Sequence, residues 1–330
     1  RLPFLEGEVF KMYYPYFRGK QFELQAIKES AKTLALANFT PVIEPVRNTT
    51  TGLNALKKSL EEIINNNGTA FIVINPKYGD LRHKTDTIVK LLEKEISEPS
   101  KILPAILLHR DLGADELQYL LTKMSNKLTL IHDGYPQAKD ALKDNEDRFD
   151  EMLHIFVGDP AKEMLYRKHF HGRKVLIYDG FNRTKNADYP EMENFSELHV
   201  TYQDLGVDGY GDFLIVGDQY SKTGGPAYAV AIHLTFIDKD QDSIMAIRHF
   251  ISDDNNSPAD PAKKFREALD KLVRAVEDPN SPYIKTSAIE EYIQLHKKGH
   301  FPGLGYVKKL SMIHHIETLA NFEENKGSHN

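Results

Sequence analysis

The run Ile102-Leu-Pro-Ala-Ile-Leu-Leu-His109 decides the fold class. It is apolar almost throughout, with no polar alternation, and helical spacing follows it over Ala114–Met124. A strand without a polar face is buried on both sides, which is the situation of a parallel sheet covered by helices. Thr69-Ala-Phe-Ile-Val-Ile-Asn75 repeats the pattern and precedes a helix over about Thr85–Ile96.

Working outward, the same unit recurs along the chain. Met12–Phe17 leads into a stripe of Leu24, Ile27, Ala31 and Leu34, and Thr40–Val46 leads into Leu53, Leu56, Leu60, Ile63 and Ile64. Leu128–Asp133, Met152–Val157, Lys174–Asp179 and Phe213–Asp218 continue the series, the last after a weaker helical stretch over Glu191–Leu205. Strand–helix alternation implies parallel strands joined by right-handed crossovers. Eight units close most naturally into a (β/α)8 TIM-like barrel, with an open doubly wound sheet as the alternative.

Ala227–Ile237 and Ser243–Ile251 alternate apolar with polar residues around Lys239–Asp242, which predicts a β-hairpin inserted after strand 8. Pro261–Val276 reads as the last barrel helix, and Ser287–His296 and Tyr306–Phe322 as extra C-terminal helices. The expected organisation is an N-terminal extension over 1–11, a barrel over 12–280 that includes the insert at 227–251, and a helical extension of the same domain over 281–330.

A net charge of −6 over 330 residues gives no global positive field, so nucleic acid is not an expected partner. No apolar run approaches the roughly 20 residues of a membrane span. The chain has no cysteine, which removes disulfides, thiolate metal sites and cysteine nucleophiles. A cytoplasmic location is the simplest expectation.

Ligand and catalytic groups of such barrels lie at the C-terminal strand ends. In order these are Arg18 and Lys20, Glu44 and Arg47, Asn75 and Lys77, His109 and Arg110, Asp133, Asp159, Asp179, and Asp218 with Tyr220. Arg18, Lys20, Arg47, Asn75, Lys77 and Arg110 suit a phosphate or carboxylate through charge-assisted hydrogen bonds. Glu44 and Asp218 suit acid–base work, and Asp133, Asp179 and Asp218 suit a divalent cation such as Mg²⁺. The bland alternative is that loops after strands are polar in any α/β protein.

In Gly217-Asp-Gln-Tyr-Ser-Lys-Thr-Gly-Gly-Pro226, Gly224 and Gly225 allow backbone N–H groups to converge on an anion, with Tyr220, Ser221 and Thr223 as further donors. The Walker spacing is absent, and a glycine turn into the hairpin explains the segment equally well. His233 stands in the apolar run Ala229–Phe236. It is either a core histidine held by a hydrogen bond or an acid–base group facing the Gly-rich loop.

Tyr14-x-Pro-x-x-Arg-Gly-Lys-Gln-x-Glu-Leu24, Pro41-Val-Ile-Glu-Pro-Val46, Gly217-Asp-x-Tyr220 with Gly224-Gly225, and Ala229–Leu234 resemble the beta protein family of satellite phages and prophages. The resemblance spans about Met12 to the C-terminal helices. It implies a place in phage-exclusion or toxin-neutralising gene clusters beside a killer-type protein partner, and it carries over no catalytic residues. Two expectations follow. One is a defence or regulatory protein whose barrel mouth recognises a partner or an anionic ligand. The other is a Mg²⁺-assisted enzyme acting on a phosphorylated or nucleotide-like small molecule.

Overall fold

Strands and helices alternate to build an eight-stranded, all-parallel sheet that curls into a nearly closed barrel. The structure, a computed structural model, describes residues 12–143, 145–222, 225 and 227–327. The expected extension over 1–11, and Thr223 and Gly224 of the Gly-rich segment, lie outside the described residues.

The barrel strands are β1 (Tyr16–Phe17), β2 (Val42–Ile43), β3 (Ala70–Val73), β4 (Ile102–His109), β5 (Lys127–Asp133), β6 (Glu151–Val157) and β7 (Arg173–Tyr178). After β8 (Met192–Ser196), which lies outside the barrel, β9 (Gly209–Asp212) completes the circle. The longer crossover helices are α1 (Gln21–Leu36), α2 (Thr50–Asn65), α3 (Thr85–Lys94) and α4 (Ala114–Leu121). Shorter ones are α5 (Ala138–Lys143), α6 (Met164–Arg167) and α7 (Leu198–Thr201).

Period-two alternation sorts the strand residues into two cores. Tyr14, Tyr16, Val42, Phe71, Val73, Ala105, Leu107, Ile131, Ile155, Val175 and Ile177 fill the barrel interior. Their neighbours in sequence, such as Ile43, Ile72, Ile106 and Leu130, face the helices.

Two segments differ from the sequence reading. The eighth barrel strand is Gly209–Asp212 rather than Phe213–Asp218, because Phe213 starts a turn: the Val216 and Gly217 amides both donate to its carbonyl, and Leu214 takes a positive φ of 51°. Part of the expected helix over Glu191–Leu205 is instead β8, which joins β10 (Ala231–Asp238) and β11 (Ile244–Ile251) in an antiparallel three-stranded sheet. The insert is therefore a hairpin extended by a strand from before β9.

Helix α8 (Pro261–Glu277) packs on β10 and β11, so it covers the inserted sheet rather than the barrel. Helices α9 (Ser287–Lys298) and α10 (Leu304–Gly327) follow, and α10 lies against α1 and β10. No described helix is long and apolar enough to cross a membrane.

Barrel closure runs through glycine. The Tyr14 amide donates to the Tyr210 carbonyl and the Tyr210 amide to the Met12 carbonyl, both at 2.8 Å. A Cβ at Gly211 would stand 2.2 Å from the Tyr14 carbonyl oxygen, so β9 reaches β1 only without side chains there. Gly211→Ala should lower stability by about 1–3 kcal/mol, read as a lower urea midpoint at unchanged m-value. An unaltered midpoint would mean that the closure tolerates a side chain.

Buried histidines add a pH dependence. His154, His199 and His314 are each pushed down to about 4, chiefly by burial. They are neutral when folded and regain their ordinary pKa near 6.5 when unfolded, so unfolding takes up protons between those limits. Stability should be fully present above about pH 6.5 and decline as the pH falls toward 4. Thermal melts across that window check the sign.

Candidate functional site

The alternation that fills the barrel interior continues to the strand ends and selects which polar groups crown it. From Tyr14 and Tyr16 it leads to Arg18, from Val42 to Glu44, from Val73 to Asn75, from Ile131 to Asp133 and from Ile177 to Asp179. These residues gather at one mouth.

Arg18 is 4% exposed and Glu44 is wholly buried. Glu44 accepts from Arg18 Nη1 at 2.8 Å, the Tyr16 hydroxyl at 3.1 Å and the Lys77 amide at 2.8 Å. Burial and the Glu44 charge raise the Tyr16 pKa well above its ordinary value, so the phenol stays a donor. Arg18 Nη2 holds the Asp218 carbonyl at 2.9 Å and also its carboxylate. Tyr16, Phe213 and Tyr78 surround the guanidinium, with ring centroids at 4.9, 5.0 and 5.3 Å. Arg18, Glu44 and Asp218 therefore converge as expected, but paired with one another, and the buried Arg18 Nε is left without a hydrogen-bond partner.

Other candidates also have structural partners. Asn75 exchanges hydrogen bonds with the Leu107 backbone at 2.8–2.9 Å, so its amide ties β3 to β4 instead of facing a ligand. Lys77 pairs with Asp133; burial opposes its charge, and Asp133 outweighs that and raises its pKa. Asp179 accepts from the Asp218 amide at 2.7 Å and the Phe181 amide at 3.1 Å, shaping two loops. Among the described residues no three His, Asp or Glu side chains gather as a metal site. Asp133, Asp179 and Asp218 do not fit a shared Mg²⁺ ion. Arg110 is exposed beyond β4. Asp159 lines a separate cleft of about 570 Å³ outside the mouth, with Tyr178, Phe195, Glu197 and Asp204.

The Gly217–Tyr220 loop is strapped over the mouth. Tyr220 stacks on Tyr78 with centroids 4.7 Å apart, Lys20 Nζ lies 4.9 Å from the Tyr220 ring, and Lys20 donates to the Ser221 carbonyl. Lys222 pairs with Asp80 at 3.4 Å, and Arg183 Nη1 donates to the Gln219 carbonyl at 3.0 Å. Gly225 is exposed.

A second group of cations has carbonyl acceptors and the nearby Glu23 charge but no ion pair of its own. Lys20, Arg47, Arg183 and Lys308 form no salt bridge among the described residues. Burial lowers the Lys20 pKa, Arg183, Arg47 and Arg18 add to the effect, and Glu23 opposes it. Lys308 is lowered by burial, Arg183 and Lys20 against the same carboxylate. Lys308 is nonetheless solvent-exposed. Glu23 is itself buried, accepts from the Arg18 amide at 2.5 Å, and has a raised pKa from burial.

His233 is buried in the inserted sheet. It sits directly across from His249 in the β10–β11 pairing, with the two Nδ1 atoms 2.7 Å apart. Burial, then His249 and Lys308, hold it well below the usual histidine range, so it is neutral. Glu23, Tyr78, Arg183, Glu193, His249 and Lys308 are participants that strand-end reading passes over. They lie in a helix turn, in loops, on the inserted sheet and on α10.

No protein-family profile and no curated protein matches the chain.

Removing one partner of a buried ion pair strands the other charge. Glu44→Ala should cost about 3–5 kcal/mol, measured by urea unfolding. The double replacement Arg18→Met with Glu44→Leu should be clearly milder, and equal losses would show that the two residues are not coupled.

Proposed function

We propose that the mouth is a recognition site for a phosphate-bearing anion, and that the chain is a defence or regulatory protein which reads that ligand. The observation that carries this reading is the separation of the cations into two sets. Arg18, Lys77 and Lys222 are matched by Glu44, Asp218, Asp133 and Asp80. Lys20 and Lys308 have pKa values lowered chiefly by burial, with Arg183 among the cations that add to it and Glu23 opposing. A cluster of like charges is relieved by an incoming anion, and several donors suit phosphate better than a single carboxylate.

The defence setting rests on the resemblance to the beta protein family. The segments that carry it supply Arg18, Lys20, Glu23, Glu44, Asp218, Tyr220 and His233, which line or brace this mouth. A protein partner would then respond to the liganded state. A Mg²⁺-dependent step is not proposed, since the carboxylates do not form a metal site.

Titration calorimetry with inorganic pyrophosphate at low salt tests the reading. Wild type should bind, and Lys20→Ala should weaken binding by about 1.5–3 kcal/mol, or roughly 10- to 100-fold. Arg47→Ala should cost less because that side chain is exposed. Absence of binding by pyrophosphate, nucleotides and phosphosugars alike would remove the anion reading.

A further inference from the structure

The loop after β9 has a fixed base and a lightly held tip. At the base, the Asp218 amide donates to Asp179 at 2.7 Å and the Asp218 carbonyl accepts from the buried Arg18 at 2.9 Å. Beyond it, Gln219 and Lys222 are exposed and Tyr220 and Ser221 partly so. Single hydrogen bonds from Arg183 to the Gln219 carbonyl and from Lys20 to the Ser221 carbonyl hold the tip. The Tyr78–Tyr220 stack and the Lys222–Asp80 pair join them. An ion pair as exposed as that one contributes little.

These contacts use the groups that the anion reading needs. Gln219 and Ser221 are two residues apart, so their carbonyls bring Arg183 and Lys20 to one short stretch of chain. A carbonyl carries no net charge, and a phosphate on the same two cations adds a Coulomb attraction that the tip lacks. The residue between them, Tyr220, lays its ring on Tyr78 with 12° between the planes, and Lys20 Nζ lies 4.9 Å from that ring. The tip thus offers two oxygen acceptors and one aromatic face to two cations and one aromatic face. A nucleotide offers the same set, with charged oxygens and a flat base that stacks on aromatic side chains.

We propose that residues 219–222 are an autoinhibitory strap that fills the site as an internal mimic of a nucleotide, and that a nucleotide displaces it. Phosphate then takes Lys20 and Arg183, and the base takes the face of Tyr78 that Tyr220 covers. This rests on the anion-binding reading above. The strap swings from Asp218, which stays fixed by Arg18 and Asp179. Competition sets the sign of the test: when only a fraction of the molecules is open, apparent affinity falls by that fraction, so loosening the strap tightens binding.

Titration calorimetry of the intact chain tests this with pyrophosphate, adenosine 5′-monophosphate and ribose 5-phosphate. Tyr220→Ala and Lys222→Met should each bind pyrophosphate at least about threefold more tightly than wild type. Simple loss of a cation or of a contacting ring predicts the opposite, so unchanged or weaker binding in either folded variant overturns the strap. Wild type should prefer adenosine 5′-monophosphate to ribose 5-phosphate by about tenfold, and Tyr78→Leu should remove that preference. Equal affinities in wild type overturn the nucleotide assignment. A measurement on wild type alone guards against variants that fail to fold: adenosine 5′-monophosphate should speed tryptic cleavage after Lys222 by at least about threefold, and slower or unchanged cleavage at saturating ligand overturns the strap. Where wild type binds pyrophosphate and the variants gain nothing, the strap alone falls. Where wild type and both strap variants all fail to bind pyrophosphate, the anion site and the strap fall together.

Discussion

A guanidinium held inside a barrel has few arrangements open to it, and Arg18 illustrates them. Stripping a cation of water costs several kcal/mol even after relaxation, so the surrounding structure must supply acceptors in fixed directions. Glu44 does so from β2, Asp218 from the loop after β9, and three aromatic faces fill the remaining directions. Glu44 in turn captures Tyr16 and the Lys77 amide. One buried charge thereby ties the first two strands to the β3 loop and to the last loop of the barrel. The position of every other group at the mouth depends on that knot.

Closure and capping rest on the opposite face of the same strand. Gly209 and Gly211 turn inward, where Tyr14 leaves no room for a side chain, and Asp212 turns outward. Asp212 accepts from the Tyr13 hydroxyl at 2.8 Å and pairs with His315 at 3.1 Å, while His315 reaches Thr235 of β10 at 3.0 Å. His314 bonds Thr286 and the Thr235 carbonyl, so adjacent histidines on α10 are both buried with partners. Lys309 pairs with Glu29 of α1 at 2.7 Å. Helix α10 is thus pinned to barrel, inserted sheet and α1 together.

Much of this was legible in the sequence, and the reasons for the exceptions are physical. Runs such as Phe71–Ile74 and Ala105–Leu108 announce buried parallel strands because nothing polar interrupts them. Arg18 and Glu44 were readable as one site because period two carries an interior-facing row to the strand ends, whereas Asp218 reaches it from a loop. The eighth strand was not readable, since Gly-Tyr-Gly-Asp212 has low strand propensity and only the neighbouring Tyr14 explains it. Phe213–Val216 is apolar for packing reasons and mimics a strand. Met192–Ser196 becomes a strand only because β11 offers an edge. Polar partnerships were the least visible: Asn75 looks like a ligand donor until Leu107 is seen opposite it. Glu193, His249 and Lys308 meet His233 through tertiary packing that no local spacing encodes.

That last point bears on how structural and functional charges are told apart. Residue type does not separate Arg18 from Lys20, because both are strand-end cations in the same motif. Compensation does separate them. A folded chain satisfies the ions it needs for its own stability, as Arg18, Lys77 and Lys309 are satisfied here. Lys20 and Lys308 share only the Glu23 charge between them, and such local inconsistencies persist where a ligand removes them. The same argument applies to His233. A neutral imidazole whose tautomer is set by His249 and, behind it, the part-buried Glu193 is satisfied within the inserted sheet.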